Sequence, residues 1–213
     1  MKRAILLDLG RVIVPFDFSI GYKLMHQRTG LAPELIRERI RATGLVPRFE
    51  TGLIEPRDFV ETLMQDTGLN IPFADFCEIW SSIFSREILI PEDWIEALHS
   101  RYRTVLVSNT NALHFEMIRA NYPFLRHFDA LVLSYEVKAM KPDPAIFAAA
   151  VAAARCAPEE CFFTDDIPEY VEGARRFGID AVPFRGAPQL AADLEERRIL
   201  IGPIKTIDRS APG

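Results

Sequence analysis

Residues 4–14 read Ala-Ile-Leu-Leu-Asp-Leu-Gly-Arg-Val-Ile-Val, and the fold turns on this stretch. Ala4 to Leu7 is short and wholly apolar, the pattern of a strand buried on both faces of a parallel sheet. The run stops at Asp8, with Leu9 and Gly10 before a second apolar run, Val12 to Val14. A carboxylate at the end of a buried strand is costly unless something pairs with it. The carboxyl edge of a central strand is also where open α/β sheets hold ligands. Asp8 therefore has two readings, a turn cap or a catalytic or metal-binding carboxylate, and the rest of the chain decides between them.

From about Pro91 helix and strand alternate. The pattern predicts a helix over Trp94 to Tyr102, a strand over Thr104 to Val107, then a helix to about Asn121. It continues with a strand over Asp129 to Leu133 and a helix from Pro144, capped by Asp143, to about Arg155. A strand over Cys161 to Thr164, a helix over Pro168 to Phe177, a strand over Ala181 to Phe184 and a helix near Gln189 to Arg198 complete it. Repeated strand–helix units imply an α/β fold, a doubly wound parallel sheet with right-handed crossovers. Between the first strand and Pro91 no segment reads as a strand. Four amphipathic helices are predicted there, over Phe18 to Thr29, Pro33 to Thr43, Pro56 to about Gly68 and Pro72 to Phe84. They make a small helical unit. The expected division is a core of residues 1–14 and 91–200, a helical insert of residues 15–90 and a tail of residues 201–213.

The chain has 213 residues, 49% of them apolar and 26% charged, which fits one globular domain with room for a small second lobe. A net charge of −5 without a long basic run argues against a nucleic-acid binder. The N-terminal apolar stretch is too short for a signal peptide or a membrane span. Three cysteines, Cys77, Cys156 and Cys161, form no metal-binding pair and suit the reduced cytoplasm, where they are assigned to packing. The four histidines show no metal-ligand spacing.

Three predicted strands end in polar residues at the same edge: Asp8, then Ser108-Asn109, then Asp165-Asp166. A fourth unit supplies Lys141. Taken singly these are turn formers, helix caps or a surface lysine. Taken together they describe a site. Three carboxylates crowded at one edge repel strongly without a cation, and Mg²⁺, hard and oxygen-loving, is the economical solution. A metal, a lysine, a hydroxyl and backbone N–H groups can hold a phosphate, leaving one carboxylate free to attack phosphorus.

The same residues resemble the motifs of the haloacid dehalogenase-like hydrolase superfamily, in order and over nearly the whole chain. Asp8-Leu-Gly resembles its nucleophile motif and Val105-Leu-Val-Ser-Asn its second. Lys141-Pro-Asp-Pro-Ala-Ile-Phe resembles the lysine motif. Phe162-Phe-Thr-Asp-Asp, followed by Glu172-Gly-Ala, resembles the metal-binding motif. The wording is most similar to the branch that holds bacterial glucose-1-phosphate phosphatase and the phosphatase domain of soluble epoxide hydrolase. The resemblance implies a Rossmann-like core with a small α-helical cap after the first strand. It implies Asp8 as nucleophile and Mg²⁺ ligand and the Gly10 carbonyl as a second ligand. It also implies Asp166 as a ligand and Asp165 as one acting directly or through water. Ser108 and Asn109 would bind the phosphoryl group, and Lys141 would neutralise charge on nucleophile and phosphate. Phe49-Glu50-Thr51-Gly52 resembles the cap turn that faces the site, so that Glu50 reads the leaving group.

One position departs from the family pattern. Most of its phosphatases carry a second Asp two residues after the nucleophile, as general acid and base; here that position is Gly10. Without that donor, phosphoryl transfer is expected to depend steeply on leaving-group pKa. A flat dependence would mean another residue donates, with Glu50 or Asp17 as candidates. Gly10→Asp would restore the donor if the turn tolerates a side chain. Lys138 stands where many relatives have Gly, either as a second basic group at the mouth or facing solvent. The expected activity is a Mg²⁺-dependent phosphatase acting on a small phosphorylated metabolite, with a sugar phosphate as one possibility. Its alternatives are a metal-free 2-haloacid dehalogenase and a non-catalytic phosphometabolite-binding protein. No nucleic-acid or membrane partner is expected, and the chain is read as a monomer or homodimer.

Overall fold

The computed structural model describes residues 1–199. The predicted tail, residues 201–213, lies outside the described residues. The sheet has five parallel strands: β1 (Ala4–Leu7), β2 (Arg103–Ser108), β3 (Ala130–Leu133), β4 (Cys161–Asp165) and β5 (Asp180–Pro183). They lie in the order β3-β2-β1-β4-β5. Between β1 and β2 run α1 (Phe18–Thr29), α2 (Pro33–Thr43), α3 (Leu45–Glu50), α4 (Pro56–Thr67), α5 (Phe73–Ser81) and α6 (Glu92–His99). The remaining helices are α7 (Ala112–Asn121), α8 (Ser134–Val137), α9 (Pro144–Ala154), α10 (Pro168–Arg176) and α11 (Ala187–Glu196). No helix among the described residues is long and apolar enough to cross a membrane.

The alternation expected of a doubly buried strand is visible in β1. Ile5 and Leu7 pack into one apolar cluster with Leu106, Phe115, Phe162 and Leu190. Ala4 and Leu6 pack into a second, with Val105, Phe147 and Phe163. Successive side chains point to opposite faces of the pleat, so both faces of the sheet are covered by helices. A third cluster belongs to α1–α5 and includes Ile36, Ile40, Phe49, Phe59, Leu63, Phe76 and Trp80. Phe49 stacks on Phe59 with centroids 4.2 Å apart, and Phe76 on Trp80 at 5.3 Å.

The chain passes between the sheet and helices α1–α5 twice, and the two crossings are bonded together. Asp17 N–H donates to the Ile83 carbonyl and Ser85 N–H to that of Pro15, both at 2.9 Å. Phe16 and Phe84 form an antiparallel bridge. This corrects the reading of Pro72 to Phe84 as one helix: α5 ends at Ser81 because the next residues are needed as a crossing strand. A helix that the sequence reading lacked, α3, holds Phe49 and Glu50. It spans six residues and contains Pro47, so no helical period develops.

Candidate active site

In this strand order the chain leaves β1 in one direction for β2 and β3 and returns on the other side for β4 and β5. The crevice beyond the carboxyl ends of β1 and β4 is therefore the topological switch point. Leu7 pairs with Thr164, and Asp8 N–H donates to the Thr164 carbonyl at 3.1 Å. That register sets Asp8 beside Asp165 at the sheet edge. The carboxylate oxygens of Asp8, Asp165 and Asp166 lie within 4.8 Å of one another.

Lys141 holds this cluster from beneath. Its Nζ donates to Asp8 Oδ1 and Asp165 Oδ2, both at 2.6 Å, and to the Val107 carbonyl at 3.0 Å. All three ammonium hydrogens are spent inside the protein, so Lys141 offers its surroundings charge rather than a free donor. Burial works to lower the Lys141 pKa, and the Asp8 and Asp165 carboxylates overcome it, so the net shift is upward. Burial pushes the Asp8 carboxyl up to about 7; Lys141 opposes the rise and Asp165 adds to it. Asp166 is raised too, by burial and by Asp165, with Arg11 and Lys141 opposing.

This donor set fits a hard divalent cation. Three ionised carboxylates against one ammonium leave two negative charges unbalanced at a buried edge. Asp165 already accepts from Lys141 and, through Oδ1, from Ile167 N–H at 2.9 Å. Among the described residues no other side chain donates to Asp166. Among the described residues nothing donates to the Gly10 carbonyl.

The second strand end supplies a different arrangement from the one the sequence suggested. Ser108 is buried, makes no side-chain hydrogen bond among the described residues and lines a cavity above Leu9 and Gly10. The Asn109 side chain, expected to bind phosphate, is instead committed to the Lys141 backbone. Its Nδ2 donates to the Lys141 carbonyl at 3.0 Å, and its Oδ1 accepts from Lys141 N–H at 2.8 Å. It positions the lysine. Tyr170, which the sequence reading missed, has its ring centroid 5.3 Å from Lys141 Nζ. Its signal was its place in the first turn of α10, directly after the Asp165-Asp166 strand end.

The cavity has a volume of about 70 Å³. Ser108, Asn109 and Thr110 form its floor with Gly10, and Phe16, Phe18, Ile83 and Phe84 its apolar walls; Glu50 and His114 also line it. Phe16 explains why Gly10 has no side chain: a Cβ there would sit 2.7 Å from Phe16 Cε1. Gly10→Asp is therefore tolerated only if the half-buried Phe16 ring moves aside.

Glu50 ends α3. Its carbonyl is 2.6 Å from Ser134 Oγ, which also accepts from Thr110 N–H at 2.9 Å. Thr51 Oγ1 donates to Met140 Sδ at 3.1 Å. Lys138 Nζ donates to the Gly52 carbonyl at 2.5 Å. Lys138 is exposed, and its hydrogen bond ties the turn after α3 to the residue after α8. Burial alone pushes the Glu50 carboxyl up to about 7. Asp17, the other candidate acid, caps α1 by accepting from Ser19 N–H and Oγ, both at 2.8 Å, which hold its carboxyl low.

Comparison with known proteins gives three findings. A family model described as a haloacid dehalogenase-like hydrolase matches residues 24–178. The D-ribitol-5-phosphate phosphatase of Bacteroides thetaiotaomicron is 27% identical over 195 residues, 88% of this chain and 94% of that protein. Among solved structures, a HAD family enzyme from the same organism, in complex with magnesium and inorganic phosphate, matches with a TM-score of 0.78. It is 27% identical, covering 88% of this chain and 96% of that one. A protein described as a predicted HAD-like family hydrolase, from Porphyromonas gingivalis, also has a TM-score of 0.78. It is 25% identical over 93% of this chain and 98% of its own.

Proposed function

The chain belongs to the haloacid dehalogenase-like hydrolases, and from that premise we propose that it is a Mg²⁺-dependent phosphatase of small phosphomonoesters, sugar or polyol phosphates among them. The observation that carries this reading is the Asp8–Lys141–Asp165 ion cluster with Asp166 beside it at the switch point. The polyol-phosphate phosphatase among its relatives supports the substrate class.

In this reading Asp8, the Gly10 carbonyl and Asp166 hold the metal. Asp165, whose oxygens are already engaged, contributes from behind or through water. The cation would lower the cost of keeping Asp8 ionised and offset charge on the phosphoryl oxygens. Asp8 then attacks phosphorus and carries the phosphoryl group as an aspartyl-phosphate. Ser108 and the backbone beside it receive the phosphoryl oxygens, and Lys141 supplies charge from below. We take residues 15–90 as the cap, which brings Glu50 and the phenylalanine walls over the leaving group. A cavity this small favours a small leaving group. A metal-free dehalogenation would have no use for the third carboxylate, Asp166.

The test is phosphate release from a panel of phosphomonoesters, pentitol phosphates included, with Mg²⁺ and with excess chelator. Release that chelator abolishes and Mg²⁺ restores is the expected result. Undiminished release in chelator removes the metal from the account, and no release from any ester removes the phosphatase.

A further inference from the structure

One role in that reaction is unfilled, the proton for the leaving oxygen. We propose that Glu50, carried over the site by α3, donates that proton and in the second half-reaction takes one from water. The proposal rests on the phosphatase reading above and deepens it. When an Asp8 oxygen bonds to phosphorus, the bond from phosphorus to the leaving oxygen breaks. Its electron pair stays on that oxygen, which takes the Glu50 proton and departs as an alcohol. The Glu50 carboxylate then removes a proton from a water whose oxygen attacks phosphorus. The bond from phosphorus to Asp8 breaks, giving inorganic phosphate, a free Asp8 carboxylate and Glu50 again protonated.

Four observations carry this. Glu50 is the one carboxylic acid among the described residues lining the cavity above Gly10 and Ser108. No described side chain donates to its carboxyl, whereas Asp17 is fixed at its cap and Asp165 accepts from two donors. Gly10, two residues after Asp8, carries no acid, and a Cβ there would press on the Phe16 ring. The other titratable group in the cavity, His114, has both ring nitrogens committed. Nε2 donates to the Trp80 carbonyl at 2.9 Å and Nδ1 accepts from Asn111 Nδ2 at 3.0 Å. Burial holds His114 down at about 4, so it stays neutral.

The surroundings keep Glu50 protonated without pairing it. The helices packed against α3 present apolar side chains, Ile40 from α2 and Phe59 from α4 among them. From α8 and the residue after it, the Tyr135 carbonyl and Lys138 face Gly52, with Lys138 bound to the Gly52 carbonyl. From α10 the Tyr170 hydroxyl is near enough to feel the Glu50 charge and is itself pushed up by burial. A carboxyl poised near 7 suits a group that must give and take a proton in one turnover.

The experiment measures phosphoryl-enzyme formation in single turnovers of the full chain with Mg²⁺. The esters run from nitrophenyl through polyol to simple alkyl phosphates, for the parent and Glu50→Gln. The parent should show a shallow dependence on leaving-group pKa, reversing the steep one expected from Gly10 alone. Glu50→Gln should steepen it, losing about 10²–10⁴-fold on alkyl phosphates and far less on nitrophenyl phosphate. The parent's fall in alkyl phosphorylation above about pH 7 should vanish in the variant. The nitrophenyl rate and the melting temperature report whether the variant is folded. An equal loss across the series, or none, overturns the proposal while leaving the phosphatase reading intact. A parent that releases phosphate from no ester overturns both.

Discussion

No described side chain donates a hydrogen bond to the Glu50 carboxyl in its cavity, and that has a consequence for stability. Its ordinary value is 4.5 and burial raises it to about 7. The folded protein therefore binds more protons here than the unfolded chain between those values. The stability this group contributes is complete below pH 4.5 and is lost as pH rises through 7. A rise of this size corresponds to about 3 kcal/mol. Glu50→Gln cannot ionise and should be more stable than the parent by that amount at pH 8, and by little at pH 4.5. Urea midpoints of both proteins across that range give the difference, in which the contributions of Asp8 and His114 largely cancel. A difference that does not change with pH would show that Glu50 is not titrating in a buried place.

At the level of the element, α3 and the turn after it join helices α1–α5 to the sheet unit. Gly52 has a φ of +67°, and a Cβ there would run into the Tyr135 carbonyl oxygen and the Lys138 ammonium. Only glycine lets the turn approach so closely. Gly52→Ala should force the turn away from α8, cost about 1–3 kcal/mol and carry Glu50 off the cavity. Alkyl phosphate turnover should fall more than nitrophenyl phosphate turnover. Equal stability and an unchanged ratio would mean the turn does not set the position of Glu50. The sequence announced the Phe49-to-Gly52 segment as facing the site but not as a helix, nor what anchors it. The anchors are contacts between residues far apart in the chain, such as Lys138 with Gly52, and no local pattern encodes them. Gly173 does similar work in α10. A Cβ there would come 2.8 Å from Pro142 Cβ, so its absence lets α10 pack against the loop that carries Lys141.

Across the whole molecule, the parallel sheet was legible because strand ends and polar residues coincide: Asp8, Ser108-Asn109 and Asp165-Asp166 each follow an apolar run. The structure gathers Asp8, Lys141, Asp165 and Asp166 at one edge, as expected of consecutive units of a doubly wound sheet. What each side chain does there was less legible. Asn109 is spent on the Lys141 backbone, the Tyr170 ring faces the Lys141 ammonium, and the Phe16 ring lies over Gly10. These are matters of direction and filling, which residue type and spacing leave open. The central claim is that this edge transfers a phosphoryl group to Asp8. The most direct measurement is an acid quench of the full chain during turnover of a radiolabelled phosphomonoester with Mg²⁺, followed by peptide mapping of the label. The account predicts hydroxylamine-sensitive label on the peptide containing Asp8, and none in Asp8→Asn. Steady turnover with no label on Asp8 in the parent, or turnover near the parent rate in Asp8→Asn, would contradict it.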